Sequence, residues 1–463
     1  MLRNKPSFIL IIKSNKTINV EGKIMINSDD QFTEVGINTN SSLFKTFLNA
    51  DLLNVIDKDF ASDIQKFWMN NYNTKVDPLL HMAFMNLTNK KDVRLIPGKI
   101  LQREIFPVFN DYNVTSYYGD KNIYGIIIKP PYGPETIIKK IGGNFFDSEY
   151  NPIDYESAHN LLIRSDQDLI IKLSKANNGR GVAKFSIKDN KIYFDGENIS
   201  FNKFIEIHNK DFIIQKVIQQ HPNMAAPHPS SVNTIRIVTF RWKGEIRYLF
   251  AFARFGINND IRDNATVDIS PALGITDSGE FYHVGINKNG DTFTHHPTTN
   301  YCFADLDPIP DYENFKEHVK NYHKKFIHLD IIAWDIAVGL DGKPIILECN
   351  FAGSTSFYQL VTQKPFFGDL TEDVLQYVSD EWKVRKPALM RKHRKNSILN
   401  KKLKQQKKQL SKSKAEYEKI EKELKDKTIE LNRINKEYEK ISKELSSVKN
   451  SRSWKYTSIF RRK

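Results

Sequence analysis

Residues 333–350 read AWDIAVGLDGKPIILECN, and this stretch decides the fold because it sets two carboxylates in a predicted β-hairpin. Two apolar runs flank an Asp-Gly dipeptide at 341–342, which predicts a hairpin with a two-residue turn. In that register Asp335 lies directly opposite Glu348, and the strand period of two puts Asn350 on the face of Glu348. Like charges opposite each other destabilise a sheet unless a cation lies between them, so the hairpin is a candidate Mg²⁺ site with three oxygen ligands. A solvent-facing strand pair with incidental acids is the alternative.

Residues 168–185, DLIIKLSKANNGRGVAKF, form a second informative segment. The pattern predicts an apolar strand carrying Lys172, a polar loop at 177–181 and a returning strand. Glycines let backbone N–H groups approach phosphates closely, and a lysine on the strand can reach the same phosphates. The segment lacks the spacing of a P-loop, and a simple turn beside a lysine is the alternative to a phosphate-covering loop.

Residues 211–240, DFIIQKVIQQHPNMAAPHPSSVNTIRIVTF, contain a strand predicted over 212–218, a loop rich in proline and histidine, and a second strand. The alternation of the second strand puts Arg236 on one face together with Thr234 and Val238. Such a layout suits a hinge whose backbone reads an adenine, followed by an inward-facing arginine for a phosphate or carboxylate.

The order of these segments along the chain resembles the ATP-grasp superfamily. It is similar in particular to the sugar-transfer-associated branch found among bacterial surface-polysaccharide genes, over roughly residues 90 to 370. The resemblance implies an α+β fold in which two α+β lobes sandwich ATP, with one or two Mg²⁺ ions beside the nucleotide.

The resemblance also implies roles for individual residues. Lys172 would bind the α/β phosphates, and Lys121 looks like the family's first ATP lysine, for which a solvated surface lysine is the alternative. Arg236 would lie over the transferred phosphoryl group. The phosphate-covering loop would comprise Asn178, Gly179, Arg180 and Gly181, the adenine-binding backbone Gln215, Lys216, Val217 and Ile218, and the Mg²⁺ ligands Asp335, Glu348 and Asn350.

Two positions depart from the family pattern. Gln215 stands where many ATP-grasp enzymes have a glutamate, and no acid near Pro222 matches the usual ribose ligand. The phosphate and metal groups are all present, which favours a working catalyst because an unused acidic pair is costly to keep.

The chemistry implied by the resemblance is that of an ATP-dependent carboxylate-amine ligase, which forms a C–N bond through an acylphosphate and releases ADP and phosphate. The substrate would be a sugar or an amino acid in bacterial capsular or surface-polysaccharide synthesis. Alternatives are a phosphotransferase that stops at a phosphorylated product, and a non-catalytic nucleotide-binding adaptor that scaffolds a glycosyltransferase complex.

An acceptor pocket is expected between the Arg236 strand and the acidic hairpin, in residues 249–275. There Arg254 and Arg262 can grip an anionic substrate bidentately, and the Asp-Asn pair at 263–264 can orient it. Ordinary surface ion pairs are the alternative.

Composition favours a cytoplasmic protein. The 463 residues are 40% hydrophobic, which is enough for a large core, and two cysteines, Cys302 and Cys349, are too few for a disulfide framework. No apolar run approaches the roughly 20 residues of a membrane span, and the N-terminus lacks the features of a secretory signal.

Charge separates the chain into an acidic body and a basic tail. Residues 383–463 hold 28 lysines and arginines against 9 acidic residues, whereas residues 1–382 hold 41 against 46. No acidic residue occurs from 391 to 415. No nucleic-acid-reading motif accompanies this run, so we expect a solvated linker or contact with the anionic inner face of the membrane, and no nucleic acid.

The tail contains a heptad repeat. Its a positions are Leu403, Leu410, Tyr417, Leu424, Leu431, Tyr438 and Leu445, and its apolar d positions are Ile420, Ile434, Ile441 and Val448. Gln406, Ser413 and Lys427 occupy the other d positions. A seam of this length predicts a coiled coil, in a homo-oligomer or with another coiled-coil partner. A lone amphipathic helix folded onto the body is the alternative.

These observations divide the chain into five parts. They are residues 1–90, a mixed α/β region in which 20–39 alternate as short strands would; 91–382, the ATP-grasp domain; 383–398, a basic linker; 399–450, the coiled coil; and 451–463, an aromatic and basic tail. The tail resembles the Ser-x-Ser-Trp end that follows coiled coils in bacterial surface-polysaccharide glycosyltransferases, and it also suits a membrane interface.

Overall fold

The computed structural model describes residues 29–129, 131–176, 181–258, 269–353 and 355–451, with the backbone alone at 29, 30, 355 and 382–401. The chain forms two compact units, residues 1–382 and residues 383–463. In the described ranges the helices are α1 (Asp29–Glu34), α2 (Ser42–Asn49), α3 (Lys58–Tyr72), α4 (Leu79–Thr88), α5 (Gly98–Ile100), α6 (Phe106–Phe109), α7 (Thr115–Tyr118), α8 (Lys121–Ile127), α9 (Tyr155–Ile163), α10 (Phe201–Ile207), α11 (Pro222–Ala225), α12 (Tyr312–His323), α13 (Thr355–Thr362) and α14 (Thr371–Asn450).

The first sheet has eight strands, and one of its faces carries predicted site residues. The strands are β1 (Thr136–Ile141), β2 (Asn144–Phe146), β3 (Pro152–Ile153), β4 (Asp168–Leu173), β5 (Val182–Lys188), β6 (Lys191–Phe194), β7 (Glu197–Ile199) and β8 (Phe212–Lys216). They pair antiparallel in the order β3-β2-β1-β8-β4-β5-β6-β7. One face packs on α9 and α10 through Leu169, Ile171 and Phe212. Because strand side chains alternate, Lys172 and Gln215 emerge on the other face.

The second sheet has seven strands and is covered on both faces. The strands are β9 (Thr234–Trp242), β10 (Glu245–Arg254), β11 (Ala272–Ile275), β12 (Gly285–Ile286), β13 (Thr292–Phe293), β14 (Ile331–Val338) and β15 (Pro344–Asn350). They pair antiparallel in the order β13-β12-β11-β10-β9-β14-β15. One face packs on α12 through Phe315 and Val319, and the other is covered by the N-terminal helices and α13. Every residue of β14 is buried, so Asp335 within it needs polar partners.

The N-terminal helices belong to the same core as the second sheet. Trp68 and Phe84 pack in one apolar cluster with Phe240. The described part of residues 1–90 contains α1 to α4 and no strand, so the strands expected within 20–39 are wrong for Asp29–Glu34, which is helical. Residues 1–28 lie outside the described residues. The helix places Phe32 where it is buried with the core, and the adjoining chain buries Val35 beside it.

The hairpin confirms the pairing of Asp335 with Glu348 and corrects the predicted turn. The two carboxylates stand opposite each other in the β14–β15 ladder. The two-residue turn is wrong, because Gly339 N–H donates to Lys343 O at 2.8 Å and closes a three-residue loop. Gly342, at φ +79°, takes the left-handed conformation that this loop requires.

A bulge in β15 compensates for the longer loop. Ile336 pairs with Ile346, while Asp335 pairs with Glu348, so Leu347 is the extra residue on the second strand. The bulge restores the register that a two-residue turn would have given. Two irregularities that cancel therefore produce the predicted pair of carboxylates.

The heptad repeat lies in the part of helix α14 that belongs to the second unit. From 402 to 450 all side chains are exposed. In the described part of the chain no helix combines the length and the apolar character needed to cross a membrane. The predicted fold class is confirmed as α+β, with two antiparallel sheets, packed helices and a long C-terminal helix. Both cysteines are free, as expected.

Candidate active site

A cavity of about 660 Å³ lies between the two sheets. Its walls come from the open face of the first sheet, with Lys172 and Gln215, from the start of α8 at Lys121, and from Ile346 and Leu347 in β15. Three residues that the sequence predicted for ATP, and that lie far apart in the chain, therefore share one cavity.

Two lysines line this cavity, and one of them also contacts the carboxylate of Glu348. Lys121 Nζ lies 3.4 Å from Glu348 Oε2 and donates to Ala176 O at 2.8 Å. Asp120 caps the first turn of α8 and so fixes the position of Lys121. Burial lowers the pKa of Lys172 to about 8. The charge of Lys121 also lowers this pKa, whereas the charge of Glu348 acts to raise it. The paired lysine charges make the cavity attractive to a polyanion.

Asp335 is held by two arginines. Arg236 donates from Nε to Asp335 Oδ1 at 2.7 Å and from Nη2 to Oδ2 at 2.6 Å, which is a bidentate pair. Arg254 Nη2 lies 3.1 Å from the same Oδ2 and 2.8 Å from Thr234 Oγ1. Burial alone would raise the pKa of Asp335, but the two arginines outweigh burial and hold that pKa at about 2. Asp335 is thus a buried anion that positions Arg236, which was predicted for the phosphoryl group, and Arg254, which was predicted for the substrate.

The register of the second sheet brings these groups together. Arg236 of β9 lies opposite Asp335 of β14, which lies opposite Glu348 of β15. Arg254 of β10 lies opposite Thr234, two residues before Arg236 on β9. Four adjacent strands therefore carry two cations and two anions on one side of the sheet.

The oxygen donors of the hairpin suit Mg²⁺. Asn350 Nδ2 donates to Asp335 Oδ2 at 3.1 Å, so its Oδ1 is the atom left for a cation. Glu348 is about a quarter exposed, whereas the arginines already contact both oxygens of Asp335. In the described ranges no three His, Cys, Asp or Glu side chains form a metal cluster. Glu348 with Asn350 and a shared Asp335 therefore fits an ion that takes its other ligands from phosphate and water.

Tyr358 of α13 is a supporting residue that the sequence did not reveal. Arg236 Nη1 donates to Tyr358 Oη at 2.7 Å, and the guanidinium carbon lies 5.8 Å from the centre of the ring. A side chain at Gly353 would collide with this hydroxyl, so glycine is needed there. A tyrosine near the start of a helix gives no sequence signal for such a role, because it reads as an ordinary core residue.

The predicted adenine-binding segment lies at the end of β8. The strand stops at Lys216, so the prediction of a strand over 212–218 is two residues too long. Lys216 N–H donates to Glu135 O at 2.9 Å. Among the described residues, Val217 and Ile218 have no backbone hydrogen-bond partner, which fits their predicted role toward adenine.

The predicted phosphate loop is described only at its end. Gly181 has φ +70°, its carbonyl accepts from Leu173 N–H at 3.1 Å, and a side chain there would collide with Leu173. Asn178, Gly179 and Arg180 lie outside the described residues, as do Arg262 and the Asp-Asn pair at 263–264.

The stretch expected to form the acceptor pocket, residues 249–275, is described only in part, and the pocket stays a prediction. β9 and β14 are hydrogen-bonded neighbours, with Arg236 directly opposite Asp335, and Arg254 of this stretch lies 3.1 Å from the same carboxylate. The described part of residues 249–275 forms the end of β10 and β11, on the far side of β9.

Lys139 is a cavity residue that the sequence analysis missed. Its Nζ donates to Asp147 O at 3.1 Å and Ser148 O at 2.7 Å, and lies 3.7 Å from the centre of the Tyr150 ring. Burial lowers the pKa of Lys139 to about 8. The adjacent Lys140 carries the same charge, so the sequence does not show which of the two lysines is buried. The strand register decides this.

A family profile matches most of the first unit. Residues 97–374 match the profile described as sugar-transfer associated ATP-grasp, which is more than half of the chain. The matched stretch includes every residue named above as a candidate ligand of ATP or Mg²⁺. Among curated proteins, no match was found.

Solved structures similar to this chain share little sequence with it. The biotin carboxylase domain dimer of the Hydrogenobacter thermophilus 2-oxoglutarate carboxylase, in complex with MgADP, ADP and bicarbonate, is 12% identical with a TM-score of 0.34, over 59% of this chain and 48% of that chain. The ATP-grasp ligase PsnB, in complex with a minimal precursor, Mg and ADP, is 12% identical with a TM-score of 0.34, over 59% and 62%. D-alanyl-alanine synthetase A from Vibrio cholerae O1 biovar eltor is 9% identical with a TM-score of 0.35, over 59% and 67%. This chain spans less than two thirds of the first two, and likenesses at this level support no conclusion about substrate.

Proposed function

The chain belongs to the sugar-transfer associated ATP-grasp family, and from this premise we propose that it is an ATP-dependent ligase that joins a carboxylic acid to an amine. The products are an amide, ADP and phosphate. The acid or the amine is a sugar or an amino acid of a bacterial capsular or surface polysaccharide.

One observation carries the proposal: Lys121 and Lys172 line a single cavity, and Lys121 Nζ lies 3.4 Å from Glu348 Oε2 of the hairpin. Two lysines supply the positive charge that a triphosphate needs, and Glu348 supplies an oxygen ligand for its cation. Family membership and these contacts together favour a nucleotide in this cavity over an unrelated anion.

The residues of the cluster divide the work of phosphoryl transfer. Lys172 and Lys121 would hold phosphate oxygens, while Glu348 and Asn350, with Asp335, would hold Mg²⁺. The ion would supply positive charge against the charge that develops on the phosphates. Arg236 and Arg254 are fixed in advance by Asp335, so they stabilise the transferred group without reorganising.

The reaction has two steps. A carboxylate oxygen of the acid attacks the γ-phosphorus of ATP, and ADP leaves. The amine nitrogen then attacks the acyl carbon, phosphate leaves, and the nitrogen loses a proton to give the amide.

Calorimetric titration with ATP tests the first part of the proposal. We expect Mg²⁺-dependent binding to the wild type and at least about tenfold weaker binding to Glu348→Gln, because a coordinating carboxylate is lost. Glu149→Gln is the matched control, since it removes the same charge from a residue that lines the cavity and lies outside the hairpin. Absence of ATP binding to the wild type would overturn the ligase and favour a non-catalytic adaptor.

A substrate screen tests the second part. ADP and phosphate should accumulate only when an acid and an amine are both present. Release of ADP with the acid alone, together with a stable phosphorylated product, would make the protein a phosphotransferase instead.

A further inference from the structure

The apolar seam of α14 is an exposed surface to which the proposed ligase activity assigns no role. Eleven apolar a and d side chains between Leu403 and Val448 are 49% to 72% exposed. A helix that presents such a seam gains stability by covering it with another helix. The charges beside the seam indicate which helix fits.

One flank of the seam carries a row of like charges. The g positions of five successive heptads are Glu416, Glu423, Glu430, Glu437 and Glu444, here called the glutamate row. All five are exposed. Lys419 lies 3.9 Å from Glu423 within the helix, but both side chains are well exposed and such a pair contributes little. The row is therefore available to a partner, and e and g charges set partner choice in coiled coils.

A second copy of this chain in parallel register is a poor match for the seam. Glu416 would face Glu421 of the second copy, which is a like-charge contact. Lys427, at a d position, would face its own counterpart inside the apolar core. The other members of the row would face Thr428, Asn435, Ser442 and Lys449. One of the five glutamates thus gains an opposite charge.

A second copy in antiparallel register is a poor match as well. In that arrangement equivalent flanks meet, so the glutamate row of one copy would lie against the glutamate row of the other. Repulsion along a flank opposes association even when the apolar seam is well formed.

We propose that residues 416–449 bind a helix of a different protein, with lysine or arginine along the flank that meets the glutamate row and an acidic side chain opposite Lys427. Its apolar seam covers the exposed a and d side chains of α14. The seam belongs to the second unit, whereas the residues that line the nucleotide cavity belong to the first.

Two synthetic five-heptad peptides test the proposal on the full-length protein. Both carry isoleucine at a, leucine at d and one aspartate at the d position that faces Lys427. The basic peptide has lysine at e and g, and the acidic peptide has glutamate there. Fluorescence anisotropy should detect binding of the basic peptide and not of the acidic one, although the whole chain carries a net charge of +14 and repels a basic peptide in general.

A pair of charge-matched variants separates the row from the overall charge. Glu430→Lys with Glu437→Lys changes two g positions, and we expect about tenfold weaker binding of the basic peptide. Glu418→Lys with Glu439→Lys makes the same change at b positions, away from the seam, and should alter the affinity by less than about threefold. Equal losses in both variants would mean general electrostatic attraction and would overturn the proposal.

Sedimentation of the full-length protein tests directly whether two copies of this chain associate. The wild type should not associate through α14, whereas Lys427→Ile should gain concentration-dependent self-association. A stable wild-type dimer that excludes the basic peptide would establish a second copy as the occupant and overturn the proposal. Binding of neither peptide without self-association would also overturn it.

Discussion

Asp335 and Glu348 face each other across the hairpin, yet their surroundings give them different tasks. The side chain of Asp335 is 3% exposed and forms ion pairs with two arginines, whereas that of Glu348 is 24% exposed and lies beside Lys121. A buried charge that loses its partner lowers the stability of the protein far more than a partly exposed charge that loses its partner. Asp335 is therefore expected to support the structure besides sharing the metal, whereas the main task of Glu348 is to hold the metal.

Substitution of each acid by its amide separates these tasks. Asp335→Asn leaves Arg236 and Arg254 without a buried counter-charge, so the free energy of unfolding should fall by about 3 to 5 kcal/mol. Glu348→Gln should lower it by less than about 1 kcal/mol while it weakens Mg²⁺-dependent binding of ATP. Urea denaturation measures both values. Equal stability of the two variants would contradict this division.

The titration of Lys172 predicts how nucleotide binding depends on pH. Burial lowers its pKa to about 8 in the free protein. ATP favours the protonated lysine, so affinity should be highest below pH 8 and fall as the pH rises through that value. Calorimetry in buffers of different ionisation enthalpy should detect proton uptake near pH 8.

Two arginine substitutions identify the titrating group. Lys172→Arg keeps the charge at all accessible pH values, so the decline in ATP affinity above pH 8 should disappear. Lys139 has a pKa of about 8 in the same cavity, but its Nζ already donates to two backbone carbonyls. Lys139→Arg should therefore keep the decline, and the reverse pattern would assign the titration to Lys139.

At the scale of elements, local pattern predicted the strands of the site but not their connections. Apolar runs around residues 333–350 and 168–185, separated by an Asp-Gly turn and by a polar loop, predicted β14, β15, β4 and β5. The three-residue loop and the bulge at Leu347 were not predicted, because a turn with two glycines is compatible with more than one loop length. The pair of Asp335 with Glu348 was predicted because these two departures cancel.

Contacts between distant strands could not be predicted from pattern. Arg236 and Asp335 are 99 residues apart, and only the order of β9 beside β14 makes them partners. Sequence order does not reveal which strands are neighbours. Long-range pairing is fixed by the whole sheet and leaves no local signal.

The loop between β4 and β5 yields a prediction about its final glycine. Gly181→Ala forces a side chain into a left-handed conformation against Leu173, so the loop should shift and ATP should bind about tenfold more weakly. Gly196→Ala is the matched control, since Gly196 has φ +83° in the turn after β6 and no atom within 4 Å of an added side chain. Both variants should lose about 1 to 2 kcal/mol of stability, and Gly181→Ala alone should lose affinity. Equal ATP affinity in the two variants would remove the loop from the site.

At the scale of the whole molecule, the described candidate ligands of ATP and Mg²⁺ lie within residues 1–382, the first compact unit. A protein that ends at Trp382 should therefore bind Mg²⁺-ATP with an affinity within about twofold of the full chain. The same truncation should abolish binding of the basic helical peptide. Calorimetry and anisotropy measure the two activities separately, and loss of ATP binding on truncation would show that the nucleotide site needs the second unit.

The basic run from 391 to 415 predicts how the full-length protein meets a membrane surface. It contains no acidic residue, and a polybasic segment gains about 1 kcal/mol per charge near an anionic leaflet. The full chain should co-sediment with vesicles that contain phosphatidylserine and not with neutral vesicles, and raised salt should release it because the attraction is screened. Replacement of Arg391, Lys392, Arg394 and Lys395 by glutamate should weaken this binding severalfold and leave ATP affinity unchanged. Equal binding to neutral vesicles, or binding that survives high salt, would exclude an electrostatic contact and direct attention to the apolar seam of α14.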